Sequence, residues 1–173
     1  MSISVVQAVL IGIVYYIGIN GTPWLTCLGS TIIQKPLVSG VIVGFILGDP
    51  VQGAIIGAAI QLPFIAYISA GGAPPTDPGL AGTLGTALAM AAEVKPTAAI
   101  ALAVPIGLLG TIIWVIHITE DVYFVQMIDK AAEEGNMKKA KFLHIVPPQV
   151  FAFVIGCIPV ALGCYFGSEM VTN

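Results

Sequence analysis

Charged side chains are scarce in this sequence: only 9% of its 173 residues are Asp, Glu, Lys or Arg, whereas 57% are apolar. A soluble domain carries about 25% charged residues. The charged residues of this chain are too few to cover the surface of a soluble fold. The composition leaves two alternatives, a membrane protein or a subunit buried inside a large soluble assembly. Lipid is the simpler solvent for such a chain, so we predict an all-α integral membrane protein.

The sequence also lacks the usual signatures of a catalyst or a metalloprotein. Its three cysteines, Cys27, Cys157 and Cys164, fit no metal or disulfide spacing, and we interpret them as small apolar packing residues. There is no phosphate-cradling glycine loop, no nucleophile–base pair, no zinc-ligand spacing and no nucleic-acid footprint. We therefore expect no catalytic residue, metal or cofactor. The N-terminus lacks the positive region of a cleaved signal peptide, so we expect the first apolar run to be retained.

Long stretches without any charge define the predicted membrane segments. About 20 apolar residues cross the hydrocarbon core of a bilayer, and four stretches are that long. Two further apolar pieces are too short for a crossing and are predicted as half-spans or re-entrant segments. The predicted full spans are Val5–Trp24, Val51–Ala70, Pro96–Thr119 and Phe142–Phe166, and the two short segments are Pro36–Gly48 and Gly79–Ala92.

Glycine and proline mark the packing faces and the breaks of these segments. Gly40, Gly44 and Gly48 recur at every fourth residue, which predicts close backbone packing within the bundle or against a partner subunit. Asp49–Pro50 predicts a turn between two helical pieces. The run Gly71–Pro78 is strongly anti-helical, and irregular backbone near a membrane is tolerated only where it is buried in protein or lines a wet cavity.

Glu120–Lys141 is the one segment of soluble character. It holds four of the six lysines of a chain that has no arginine, and the positive-inside rule places it in the cytoplasm. Its apolar residues recur at helical spacing, which predicts an interfacial helix ending near Gly135–Asn136. His117 and His144 lie close to this segment and are interpreted as interfacial histidines rather than as a proton relay or phosphoryl carrier.

A few polar side chains lie within the apolar segments, where a passing solute would need hydrogen-bond partners. Gln61 either binds a ligand or forms a helix–helix hydrogen bond. Asp77 lies in the Pro-rich break, and because a carboxylate between two membrane segments is costly, we favour a binding role over a cap for the helix that follows. Weaker candidates are Thr76, Ser69 and Asn20, whereas Trp24 and Tyr67 are interpreted as interfacial anchors rather than sugar-stacking rings.

Four motifs in order along the chain resemble the IIC subunit, or permease, of mannose/sorbose/N-acetylgalactosamine-family phosphotransferase systems. The stretches Gln34–Leu37 and Val43–Asp49 resemble its (His/Arg)-Pro-Leu and Val-Gly-x-x-Leu-Gly-Asp signature. The family's Gly-rich helix, which ends in a Leu-Glu pair, matches Gly57–Leu62, and its Gly-Ala…Pro-x-Asp loop matches Gly72–Asp77. The family's Asp-Lys-Ala-Ala-x-x-Gly-Asn loop and its aromatic-x-His continuation match Asp129–Asn136 and Phe142–His144.

The resemblance implies a sugar permease that works in a complex in the bacterial plasma membrane. A IIC subunit pairs with a IID membrane subunit, and soluble IIA and IIB subunits carry the phosphoryl group that is transferred to the incoming sugar. The family's sugar contacts fall on Gln61, Ser69 and Asp77, and we group Thr76 with them. The family's usual glutamate is Gln61 in this chain, which favours a different or amino sugar over mannose.

The family pattern continues past the point where this chain stops. We expect residues 1–173 to form a single membrane domain of IIC type without the family's C-terminal segments, encoded by a truncated gene or present as a split subunit or a fragment, with a cytoplasmic charged segment at 120–141. Two other functions remain open: a secondary transporter or channel that is not coupled to phosphorylation, and a membrane partner that transports nothing.

Overall fold

The computed structural model describes residues 2–19, 29–65 and 76–172, which form six α-helices and no strand. The predicted all-α architecture is confirmed. Among the described helices, the two longest are long and apolar enough to cross a membrane. The helices are α1 (Val5–Ile19), α2 (Pro36–Leu47), α3 (Pro50–Gln61), α4 (Pro78–Ala91), α5 (Pro96–Glu133) and α6 (Met137–Thr172), with a π-helical turn at Gly29–Ile33 and a 3₁₀ turn at Leu62–Phe64.

Helices α2 and α3 form a hairpin whose backbones touch through glycine. A Cβ atom at Gly40 would lie 2.7 Å from the carbonyl oxygen of Gly53, and one at Gly44 would lie 2.6 Å from that of Asp49. Gly48 ends α2 in the left-handed region at φ 96°, and the side chain of Asp49 accepts a hydrogen bond from the backbone N–H of Gln52. The predicted turn and close-packing face are confirmed, and the partner of that face is α3 of the same chain.

The stretch Val51–Ala70 does not form the continuous helix that we predicted. Helix α3 ends at Gln61 and gives way to the 3₁₀ turn, because Pro63 in that turn has no N–H to continue the helical hydrogen bonds. With 12 residues each, α2 and α3 are both too short to cross alone. Helix α1 has 15 residues, and the end of the predicted span Val5–Trp24 lies outside the described residues.

Helix α4 is the centre of the bundle and is buried on almost every side. A Cβ atom at Gly82 would lie 2.6 Å from the Cα of Pro36 in α2, and one at Gly85 would lie 2.8 Å from the Cβ of Ala103 in α5. On a third side the side chain of Leu84 packs against Gly163 of α6. A short helix with neighbours on all sides fits the predicted half-span.

Helices α5 and α6 form a long antiparallel hairpin. We predicted a separate interfacial helix for the charged segment. Instead, this segment continues α5 to Glu133. No glycine or proline occurs between Gly110 and Gly135, and His117 contacts Glu120 and Asp121 at i,i+3 and i,i+4 spacing where the charged segment begins. The turn lies at Gly135, φ 70°, where we predicted the helix to end.

The α2–α3 turn and the α4–α5 turn lie at the other end of the bundle from the α5–α6 turn. Helix α1 runs antiparallel to α6, because the N–H of Ile3 donates to Oγ of Ser168 at 3.3 Å while the hydroxyl of Tyr16 donates to Oε1 of Gln149 at 2.8 Å. The α2–α3 turn and the α4–α5 turn share a small pocket lined by Leu47, Asp49, Gln52, Met90 and Glu93. We call the α5–α6 turn the hairpin end and the other the opposite end.

Candidate functional site

Helix α4 begins in the middle of the apolar part of the bundle. The N–H of Asp77 donates to the carbonyl oxygen of Gly107 at 2.9 Å. Gly107 lies midway between Pro96 and Thr119, the limits of the charge-free part of α5, and is about 17 Å from each at 1.5 Å per residue. A hydrocarbon core is about 30 Å thick, so the first turn of α4 would lie near the midplane of a membrane that this part of α5 crosses.

Two further helix ends meet the start of α4. A Cβ atom at Gly79 would lie 2.8 Å from the side chain of Gln34, which is two residues before α2 begins. At the end of α3, Oε1 of Gln61 accepts a hydrogen bond from the N–H of Leu37 at 3.2 Å. The N-termini of α2 and α4 carry partial positive charge, and broken helices of this kind form the substrate sites of many transporters near the midplane.

Asp77 is 4% exposed, and both of its carboxylate oxygens have partners within the bundle. Oδ1 accepts from the N–H of Leu80 at 3.0 Å, which makes Asp77 the N-cap of α4. Oδ2 accepts from the hydroxyl of Tyr15 at 2.5 Å. Gly110 makes room for this carboxylate, because a Cβ atom there would lie 2.9 Å from Oδ2. Asp77 therefore caps α4, which was the alternative to a binding role in our sequence analysis. Its binding role stays a prediction.

The other predicted site residues differ in what they offer a ligand. In the described part of the chain the amide nitrogen of Gln61 has no acceptor, since only its oxygen is engaged. The hydroxyl of Thr76 is buried without a hydrogen-bond partner, beside Gly107, where a Cβ atom would lie 2.9 Å from it. Ser69 lies outside the described residues, as do Asn20, Trp24 and Tyr67.

Sequence reasoning missed Tyr15 and Gln34. Tyr15 is 1% exposed and bonds directly to Asp77, yet it lies 62 residues away along the chain. The only sequence signal was a phenol within an otherwise apolar helix. Gln34 precedes the Lys-Pro-Leu motif, and its position against Gly79 depends on how α2 packs on α4.

Two further features lie near the hairpin end. A groove of about 480 Å³ between α5 and α6 is lined mostly by apolar side chains, among them Tyr123 and Phe151, and its lining also includes Glu120. In α5, His117 is buried and places Nδ1 3.2 Å from Oε1 of Glu120 and Nε2 3.9 Å from Asp121. Each ring nitrogen thus faces a carboxylate oxygen of the same helix.

Comparison with known proteins places these features in a family. The family model for the sorbose-specific IIC component of phosphotransferase systems matches residues 5–173. The mannose-specific EIIC component of Escherichia coli K12 is 30% identical over 173 residues, covering 100% of this chain and 64% of that protein. The sorbose-specific EIIC component of Lacticaseibacillus casei is 29% identical, covering 97% of this chain and 59% of that protein.

A solved structure shares the fold. In the cryo-EM structure of the mannose transporter ManYZ with microcin E492, one chain superposes with a TM-score of 0.79 at 30% identity, covering 100% of this chain and 66% of that one. The chain thus spans less than two thirds of the length of these relatives. The resemblance that we inferred from four motifs is confirmed, and the likeness extends over the whole of this chain.

Proposed function

This chain belongs to the family of sorbose-specific IIC components of phosphotransferase systems, and we propose that it is the membrane translocation subunit for a hexose or an amino sugar. It would sit in the bacterial plasma membrane as a multi-pass protein, with α5 and α6 as full crossings. A IID membrane subunit would complete the pathway. Soluble IIA and IIB subunits would carry the phosphoryl group, for which neither the sequence motifs nor the described residues of this chain suggest a carrier.

The observation that carries the proposal is the meeting of three helix ends at mid-membrane depth. Gln61 closes α3, Asp77 opens α4, and the start of α2 lies between them. A carboxylate has about four lone-pair sites, so Asp77 can accept from a sugar hydroxyl while it still caps α4 and bonds Tyr15. The amide nitrogen of Gln61 and the unpaired hydroxyl of Thr76 supply further hydrogen bonds.

Asp77→Asn is the direct test of the sugar site. Asparagine caps a helix as well as aspartate does, so the variant keeps the cap on Leu80, but it loses the charge and replaces one carboxylate oxygen with an NH2 group that cannot accept a hydrogen bond from Tyr15 or from a sugar hydroxyl. Hydrogen bonds to a charged group contribute about 1.5–3 kcal/mol, so we expect sugar binding to weaken by roughly tenfold to a hundredfold at an unchanged amount of protein in the membrane. Binding of radiolabelled mannose, sorbose and N-acetylgalactosamine to membranes measures this.

Asp49→Asn is the matched control. Asp49 also caps a helix, with its side chain accepting from Gln52 N at 2.9 Å, but it lies at the opposite end of the bundle. The Asp49→Asn variant should therefore bind every sugar with the same affinity as the parent protein. Equal binding by Asp77→Asn and Asp49→Asn would show that the carboxylate of Asp77 is only a cap.

Gln61→Glu keeps the acceptor for Leu37 and restores the family's glutamate, so it should shift sugar preference more than protein level.

Sidedness and energy coupling are tested separately. We propose that the hairpin end is cytoplasmic, because it carries Lys130, Lys138, Lys139 and Lys141. A cysteine in place of Lys138 should react with an impermeant thiol reagent only after the membrane is opened, and reaction in intact cells would contradict the orientation.

Sugar uptake should require phosphoenolpyruvate and the partner subunits. Uptake driven by an ion gradient alone would instead indicate a secondary transporter.

A further inference from the structure

One face of α5 carries polar side chains from the level of Asp77 to the hairpin end. Gly110 lies against the side chain of Asp77. Trp114, His117 and Glu120 follow at steps of four, three and three residues, which keeps them on neighbouring positions of one helix face. We call these three residues the α5 stripe. The sugar site proposed above uses none of them.

Two buried polar atoms of the α5 stripe have no hydrogen-bond partner in the described part of the chain: Nε1 of Trp114 and Oε2 of Glu120. The side chain of Glu120 is 9% exposed. Most buried polar groups in folded proteins have a partner, and an unpaired one is costly. Two such atoms within two turns of α5 therefore leave room for a partner from outside the described residues.

His117 holds both side chains in place. Its ring lies edge-on to that of Trp114, with centroids 5.9 Å apart, and its Nδ1 lies 3.2 Å from Oε1 of Glu120. This contact directs the second carboxylate oxygen, Oε2, away from the imidazole. His117 thus acts as a positioning residue between the two unpaired atoms.

The two unpaired atoms have opposite polarity, and this restricts the ligand. The indole N–H of Trp114 can only donate, and the carboxylate oxygen of Glu120 can only accept. A metal ion would satisfy Glu120 and leave the indole unpaired, whereas an anion would do the reverse. A hydroxyl-bearing molecule satisfies both. The two residues lie about 9 Å apart along the helix axis, on either side of the His117 ring, a span on the scale of one hexose with a hydrogen bond of about 2.8 Å at each end.

We propose that the α5 stripe is a second sugar subsite, on the hairpin side of Asp77, which the sugar occupies after it leaves the site at the three helix ends. This inference rests on the proposed function, because the stripe takes its sugar from the first site. The first site determines how tightly sugar is held from outside, and the second lowers the barrier to release towards the cytoplasm. The aromatic face of Trp114 adds a stacking surface for the sugar ring.

Two substitutions remove one unpaired atom each. Trp114→Phe keeps an aromatic ring and loses the indole N–H, and Glu120→Met keeps the length of the side chain and loses the carboxylate. Each should lower phosphoenolpyruvate-dependent sugar uptake at saturating sugar by roughly twofold to tenfold, the effect of losing one hydrogen bond. Equilibrium sugar binding, measured without a phosphoryl donor, should stay at the parent value because the first site is intact.

Thermal melting distinguishes this role from a structural one. Removing a buried donor that has no partner costs no hydrogen bond, so the melting temperature of Trp114→Phe in detergent should fall only by what the smaller ring loses in packing against the core, while its uptake falls. Gln126→Met is the matched control on α5. It makes the same kind of exchange as Glu120→Met at an exposed position outside the α5 stripe, and it should leave uptake unchanged.

The measurement uses the full chain in cells that supply the partner subunits, with radiolabelled mannose, sorbose and N-acetylgalactosamine as probes. Slower uptake by both stripe variants with unchanged binding supports the second subsite. Parent-like uptake by both, alongside impaired Asp77→Asn, overturns the second subsite alone and shows that water fills it. If no sugar of the panel is taken up by the parent protein, the proposed function fails and this inference fails with it.

Discussion

The short helices α2, α3 and α4 and the hairpin end of the same bundle are built in opposite ways. Around α2, α3 and α4 the backbones touch, and a Cβ atom at Gly40, Gly44 or Gly82 would meet backbone within 3 Å. Beyond Thr119, α5 and α6 instead meet through a small cluster of Ala131, Ala140 and Leu143, with Ile128 packed beside it. The charged side chains of the hairpin end are mostly exposed.

The difference shows what each solvent demands of the chain. In lipid, apolar burial contributes little to helix association, so close backbone contact and satisfied polar ends hold the short helices together. Next to water, a few buried apolar contacts and a charged exterior suffice. Substitutions in the first region should therefore cost much more than those in the second, and the predictions below test this from the largest expected effect to the smallest.

The largest effect is expected for Gly44→Ala. The new Cβ would lie 2.6 Å from the carbonyl oxygen of Asp49 and 2.8 Å from the Cα of Pro50. Both neighbours are backbone atoms, so no side-chain rotation can relieve the clash. We expect destabilisation at or above the upper end of the usual range for overpacking, about 3 kcal/mol. Thermal melting of the detergent-extracted chain and its level in the membrane measure this.

Gly156→Ala in α6 is the control, because its nearest neighbours lie at 3.7 Å. There the exchange should be neutral or stabilising, as alanine is the better helix former by about 1 kcal/mol. If Gly44→Ala behaved like Gly156→Ala, the close contact between α2 and α3 would not exist in the membrane.

Gly110→Ala should have the next largest effect, and it should act on the site. The added methyl would lie 2.9 Å from Oδ2 of Asp77 and would push the carboxylate away from Leu80 and Tyr15. We expect a loss of about 1–3 kcal/mol together with weaker sugar binding. Gly163→Ala is the control, since its closest neighbour is the flexible side chain of Leu84 at 3.2 Å. Full sugar binding by Gly110→Ala would place the sugar away from Asp77.

The sequence predicts the features of this comparison that depend on neighbouring residues. The glycine spacing and Asp49–Pro50 predict the α2–α3 hairpin, and Gly135–Asn136 predicts the end of α5. The cost of a polar group in lipid was enough to single out Gln61 and Asp77. These predictions succeed because a turn or a glycine ladder is read from a few adjacent positions.

Features that depend on packing between distant segments could not be predicted. Nothing in the spacing of α1 links Tyr15 to Asp77. The continuous span over Val51–Ala70 was a count of apolar residues, which cannot show that α3 folds back onto α2. The unpaired atoms of Trp114 and Glu120 are visible only once the surroundings of α5 are known.

Tyr15→Phe should have a smaller effect than either glycine substitution. It removes the hydroxyl that donates to Asp77 and leaves the cap on Leu80 intact. Hydrogen bonds between membrane helices contribute about 0.6 kcal/mol on average and about 1.7 kcal/mol at most, and a fully buried bond to a carboxylate belongs near the maximum. Tyr16→Phe, which loses a part-buried bond to Gln149, should cost less. Melting curves that ranked the two variants in reverse would show that Asp77 does not depend on Tyr15.

The smallest effect is expected at the hairpin end, for Lys139→Gln. Nζ of Lys139 lies 3.5 Å from Oε2 of Glu134, and the two side chains are 50% and 48% exposed. Water and salt screen such a pair, so its loss should change the free energy of unfolding by less than about 0.5 kcal/mol. The same measurement with the soluble partner subunits present completes the comparison. A loss above 1 kcal/mol only in their presence would show that the hairpin end is part of their docking surface, whereas a large loss in the isolated chain would contradict its solvent exposure.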